Sequence, residues 1–140
     1  MSRPVLAVKA GGPWLVLVGG TWAVDTENES GVRLGRGRMW LLPLLERSRE
    51  EVESEARARL GAGDPDVGEA LRAVIGMGLD AWSDHWLSKA VAWMTDEEVV
   101  VFSERLHEIA LESVGPRSQD TRHAAKRRLE RLGLWSPDRE

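Results

Sequence analysis

Apolar residues fall in short unbroken runs over the first third of the chain and at helical spacing over the rest. Residues 5–8 (VLAV) and 14–18 (WLVLV) are such runs, divided by Gly11-Gly12-Pro13. Gly19-Gly20 separates WLVLV from Thr21-Trp22-Ala23-Val24. That is a hairpin signal, because glycine accepts the positive φ of a tight turn. The polar stretch DTENESG, residues 25–31, reads as a loop. Residues 32–42 begin with alternation at Val32, Arg33 and Leu34 and read as a third strand, interrupted by Gly35 and Gly37.

Beyond Pro43 the spacing is helical. Ser48-Arg49-Glu50-Glu51 matches a capping box and opens a helix to residue 60. Glycines and Pro65 break the chain, and a second helix is expected over 65–79, burying Val67, Leu71, Val74 and Ile75. A third covers 82–94, with Ser83 as its cap. A fourth, opened by the capping box Thr95-Asp96-Glu97-Glu98, runs to 114 and is stopped by Gly115-Pro116. The β-branched run VVVF at 99–102 is assigned to this helix, because Val99, Phe102, Leu106, Ile109 and Ala110 keep its spacing. Ser118 caps a fifth helix to residue 132, and Gly133 closes it. The pattern predicts an α+β fold: a small N-terminal antiparallel sheet of about three strands packed on a C-terminal bundle of about five helices. One domain is expected over residues 1–140: a β-rich part to 42, a helical part over 43–133, and a tail over 134–140, of which SPDRE at 136–140 is expected to fray.

Three of the seven tryptophans fall in the third helix. At 100° per residue, Trp82, Trp86 and Trp93 share one edge, within about 40° of each other. They border an apolar arc of Ala90, Met94, Leu87 and Val91. Large rings at such a boundary can line the core, with the indole N–H reaching a carbonyl, or form an exposed ledge for a partner. The spacing leaves both open.

Composition adds a few constraints. The chain has no cysteine, which removes disulfides, thiolate metal sites and thiol nucleophiles and fits a reducing compartment. No secretory signal and no apolar run long enough to span a bilayer is visible, so a soluble cytoplasmic protein is expected. Sixteen arginines against three lysines follow the codon bias of GC-rich, bacterial-type genomes as readily as any ligand.

Charge is uneven. Residues 1–42 hold five basic and three acidic side chains, 43–114 hold seven and sixteen, and 115–140 hold seven and four. The acidic middle centres on Glu50, Glu51 and Glu53, in a helix where pairs such as Glu53–Arg57 and Glu55–Arg59 are expected. The last helix carries basic ridges at Arg122 and Lys126 and at Arg127 and Arg131, beside a seam of Ala125, Leu129 and Leu132. Helix, Gly-Pro turn and basic helix have the outline of a helix-turn-helix. Against it, the chain is acidic overall and no Asn or Gln stands mid-helix to read a base.

No catalytic residue, cofactor or metal is implied by any motif. Asp80, Asp84 and His85 are the closest acid–histidine group, but His85 points about 100° from Asp84. His85, His107 and His123 read as solvated surface residues. The expectation is a non-enzymatic protein-interaction domain, of the kind of an immunity or adaptor protein. It would use the acidic residues Glu50, Glu51 and Glu53 for steering and Trp82, Trp86 and Trp93 as anchors. The partner would be another protein; partner identity and oligomeric state are not legible. The alternatives are a nucleic-acid-binding regulator using Arg122, Lys126, Arg127 and Arg131, and an enzyme of unrecognised type.

Overall fold

The β-rich start and helical remainder are both present in the computed structural model, which describes residues 2–111 and 117–136, and 37 and 38 by backbone alone. The described residues form four strands, seven α-helices and one 3-10 turn. The chain divides into two compact units, Met1–Met77 and Gly78–Glu140.

The first unit opens with an antiparallel meander, β1 (Ser2–Ala7), β2 (Trp14–Val18), β3 (Thr21–Asp25) and β4 (Val32–Arg33), paired in sequence order. Gly19 and Gly20 turn β2 into β3 with φ of 57° and 80°, values that a two-residue hairpin turn requires. Leu15, Val16 and Leu17 are buried in succession, as are Trp22, Ala23 and Val24, so both faces of the central strands are covered. Pro4 lies in β1, an edge strand, next to a register shift where its missing N–H is tolerated.

The strand expected over 32–42 ends after two residues. Val32 and Arg33 pair with Val24 and Ala23, and the chain then enters helix α1 (Leu34–Leu41). Leu34 and Leu41 are seven apart and share a helix face, and Leu41 is fully buried, whereas a strand would have put them on opposite faces. The 3-10 turn Leu42–Glu46 follows and buries Leu42, Leu44 and Leu45.

Helix α2 (Arg49–Arg59) is polar on most sides and buries Val52 and Ala56. Ser48 caps it by accepting from the Glu51 N–H, but the Glu51 carboxylate turns to Arg47 instead of completing the box. Its attachment to the sheet is by arginine. Arg47 donates to the Ala7 carbonyl at 2.8 Å, and Arg59 donates to the Val5 carbonyl at 3.0 Å while lying over the Trp14 ring. Carbonyls two apart point to the same side of a strand, so the two guanidiniums occupy one edge of β1. Glu51 and Glu55 both accept from Arg47 and hold its guanidinium above its ordinary pKa.

Helix α3 (Gly68–Asp80) contains the division between the units, and Val67, Leu71, Val74 and Ile75 around it are fully buried, as the spacing predicts, with Ala70 buried beside them. The second unit continues with α4 (Asp84–Trp93), α5 (Asp96–Val101), α6 (Ser103–Leu111) and α7 (Gln119–Arg131). Residues 99–101 are helical, as expected, but the fourth predicted helix is two: Phe102 breaks it into α5 and α6. The Thr95–Glu98 capping box is complete. Helix α7 packs against α4 and α6, with Ala125 and Leu129 fully buried. The Gly115-Pro116 stop lies outside the described residues. No described helix is long and apolar enough to cross a membrane.

The arginine clamp on β1 generates a prediction. Arg47→Ala should cost about 1.5–3 kcal/mol, the range for hydrogen bonds to charged groups, and should promote self-association by baring an edge strand. Urea denaturation and analytical ultracentrifugation read the two effects; unchanged values in both would show the clamp to be incidental.

Candidate functional site

The three tryptophans of the 82–94 segment occupy three different environments. Helix α4 begins at Asp84, with Ser83 as its N-cap accepting from the Trp86 N–H. Trp82 therefore stands outside the helix, in the three-residue link from α3. It takes φ of 49°, the left-handed region, and is 75% exposed. Trp86 is half-buried, with the His85 ring edge-on at 4.7 Å. Trp93 is 7% exposed. Leu87, Ala90, Val91 and Met94, the predicted apolar arc, are all buried. The aromatic edge is thus core at its carboxyl end and surface at its start.

The base of the Trp82 link is held from α6. Arg105 donates to the Leu79 carbonyl at 2.9 Å, and reaches Asp80 at 3.4 Å and Glu108 at 3.5 Å. Trp82 borders a small cavity of about 70 Å³, with Leu79, Asp80, Ser83, Leu87, Arg105 and Arg117 as the other lining residues. Asp84, one turn from Asp80 in sequence, does not face it. Its carboxylate accepts from the Ser118 N–H at 2.8 Å and so fastens α4 to the start of α7. The acid–histidine group of the sequence therefore disperses: Asp80 to Arg105, Asp84 to α7, His85 to the Trp86 ring. No three His, Asp or Glu side chains converge on a metal position among the described residues.

The acidic residues of α2 are laced with arginine. Glu51 pairs with Arg47 at 2.7 Å, and Glu53 bridges Arg49 at 2.7 Å and Arg57 at 3.0 Å, while Glu50 is exposed. The expected Glu53–Arg57 pair is formed. Glu55 pairs with Arg47, not with Arg59, because Arg59 is committed to the strand carbonyl.

The basic helix is similarly engaged. Arg131 lies 3.5 Å from Asp96, and the Lys126 ammonium sits over the Trp135 ring at 5.2 Å. Arg122 is half-buried and Arg127 is exposed. Arg128 donates to the Met94 carbonyl; burial pushes its guanidinium below the ordinary arginine value, against the pull of Asp96. The turn of the helix-turn-helix outline falls outside the described residues.

One residue read as solvated is not. His107 is 3% exposed. Its Nδ1 is 2.9 Å from the Ser103 carbonyl, its Nε2 accepts from the Ser136 N–H at 3.3 Å, and its ring stacks on Trp135 within 4° of parallel. Trp135 is seated between His107 and Lys126, and Ser136, the first residue of the stretch expected to fray, is tied back through its N–H.

Two predictions follow from this geometry. Trp93→Ala should cost about 3–5 kcal/mol as a buried aromatic truncation. Trp82→Gly should be neutral or stabilising by up to about 1 kcal/mol, since glycine takes a left-handed φ without a Cβ penalty. Urea denaturation of both variants checks the contrast; equal losses would contradict it. At Asp84, desolvation pushes the carboxyl up, but the Ser118 N–H and the Thr121 and Ser118 hydroxyls outweigh it and hold the carboxyl below 3.8. A depressed folded pKa gives stability that is complete above the unfolded value and is lost as pH falls through the folded one. Asp84→Ala should therefore be less stable at neutral pH and lose less on acidification below that value, read by denaturation as a function of pH. Comparison with family models, curated proteins and solved structures returns no match, so the functional reading rests on the chain's own residues.

Proposed function

We propose that this chain is a non-enzymatic protein-interaction domain whose principal anchor is Trp82. One observation carries the reading: an indole 75% exposed on a backbone with φ of 49°. A left-handed conformation costs a residue with a Cβ roughly 1–2 kcal/mol. Strain of that kind concentrates at functional positions, and nothing in the packing of Trp82 offsets it, since most of the ring is in solvent. Tryptophan is among the residues most enriched in binding hot spots. Trp86 is half-buried, and Trp93 belongs to the core. The acidic steering once expected from Glu50, Glu51 and Glu53 has less support, because arginines neutralise Glu51 and Glu53. A small cytoplasmic adaptor or immunity-type protein fits this reading.

The test is affinity capture from native-host lysate with and without nuclease, read by mass spectrometry, using the wild-type chain and Trp82→Ala. One stoichiometric protein should be captured, and its recovery should fall at least about tenfold with the variant, as expected for a hot-spot tryptophan. A recovery dominated by nucleic acid and abolished by nuclease would overturn the proposal in favour of α7 as a nucleic-acid contact.

A further inference from the structure

His107 is a buried titratable group that the Trp82 anchor does not involve. It lies in α6, 3% exposed, and its two ring nitrogens have partners of opposite kind. The Ser103 carbonyl, 2.9 Å from Nδ1, can only accept. The Ser136 N–H, 3.3 Å from Nε2, can only donate. Together they fix one form of the ring: neutral, with the proton on Nδ1 and a lone pair on Nε2.

That form closes the end of the described chain onto α6. Gly133, at φ of 71°, turns the chain out of α7, and the Leu134 N–H donates back to the Leu129 carbonyl at 2.8 Å. Beyond that turn, the polar and ring contacts of the described residues run to His107 and Lys126. They are the Ser136 hydrogen bond, the Trp135 indole stacked on the imidazole at 5.5 Å, and the Lys126 ammonium 5.2 Å from the same indole.

A proton on Nε2 removes the acceptor and sets two N–H groups against each other. It also creates a charge in a site nearly closed to water. An imidazolium against an indole is attractive by itself, but this indole already carries the Lys126 ammonium, and the two cations repel. The other charged groups nearby do not offset this. On α6, Glu104 and Glu108 are exposed, and Arg105 is tied to the Leu79 carbonyl and Glu108. On α7, Arg122 and Glu130 stand one turn to either side of Lys126 and are of opposite sign. The buried Glu98 of α5 accepts from the Thr95 N–H at 2.9 Å.

We propose that His107 is a proton-operated latch: neutral, it holds Trp135 and Ser136 against α6, and protonated at Nε2 it releases them. The proposal is independent of the Trp82 reading. The released ring can take up a proton at Nε2 without losing a partner, so low pH favours release. Docking is complete at alkaline pH and is lost as pH falls below about 6.5, where a solvated imidazole is protonated. Release stops at Leu134, because the Gly133 turn makes no use of His107, and α7 stays folded.

The test uses the full chain with fluorotryptophan in place of tryptophan, read by fluorine NMR. Trp135→Phe identifies the Trp135 resonance by its loss, and the shift between light and heavy water reports exposure of the ring. The ratio of released to docked ring should rise at least about tenfold between pH 7 and pH 5, out of the roughly hundredfold that one coupled proton allows over that interval. Circular dichroism should hold its helical signal across the same range. His107→Phe keeps a ring to stack and has no proton to take up, so its Trp135 resonance should not move with pH. Long-range proton–nitrogen spectra of the wild-type histidines, assigned with His85→Gln and His123→Gln, give a readout that leaves His107 intact. At pH 7 the His107 ring should be the Nδ1–H tautomer, and its protonation should follow the same curve as Trp135 release. The proposal is overturned if the Trp135 resonance is unchanged down to pH 5, if it changes equally in a folded His107→Phe, if His107 is the Nε2–H tautomer, or if helicity is lost together with the Trp135 signal.

Discussion

Arg47 and Arg59 stand at opposite ends of α2 and donate to the carbonyls of Ala7 and Val5. Much of the first unit depends on that contact. Helix α2 buries only Val52 and Ala56, too little apolar surface to hold a helix by burial alone. The guanidiniums supply the attachment, and they satisfy carbonyls on an edge strand that would otherwise invite another chain. Glu51 and Glu55 orient Arg47 from the helix side. The acidic character of α2 is thus largely internal: its carboxylates serve the arginines that serve the sheet.

The second unit uses the same device differently. Arg128 reaches the Met94 carbonyl at the end of α4, and Arg105 reaches the Leu79 carbonyl at the end of α3. Helix ends leave carbonyls without intrahelical partners, and a guanidinium can satisfy them from a neighbouring helix while favouring the negative end of the dipole. Asp84 does the converse at the start of α7, where N–H groups are free. At the carboxyl end of the described chain, Trp135 closes over His107 under Lys126. These contacts engage Asp84, Arg105, His107, Lys126 and Arg128 in holding the helices of the second unit to one another. Trp82, by contrast, stays displayed, with its indole 75% exposed.

Local order was legible in the sequence. The Gly19-Gly20 hairpin, the caps at Ser48, Ser83, Thr95 and Ser118, the closing Gly133 and the buried stripe around α3 all follow from neighbours a few residues apart. Val99, Val100 and Val101 are helical for the same reason, since a cap and a periodic face outweigh the β preference of three valines, and only Phe102 departs from the helix. The third strand failed because two alternating residues cannot distinguish a strand from a chain about to turn into a helix.

The sequence alone therefore determined the α+β class, the β-rich start before the helical remainder and the apolar faces of α3 and α4, because these depend on periodicity and short-range hydrogen bonding. Only the tertiary structure decided how the charges are spent and which rings are buried. Arg47 has Glu51 and Glu55 within reach along the helix, and a strand carbonyl 40 residues away in sequence; helical spacing reveals the first two and says nothing of the third. His107 is buried by a tryptophan 28 positions later in the chain. Trp82 is exposed because three residues must link α3 to α4, and the link's backbone, not the helical wheel, sets where that ring points.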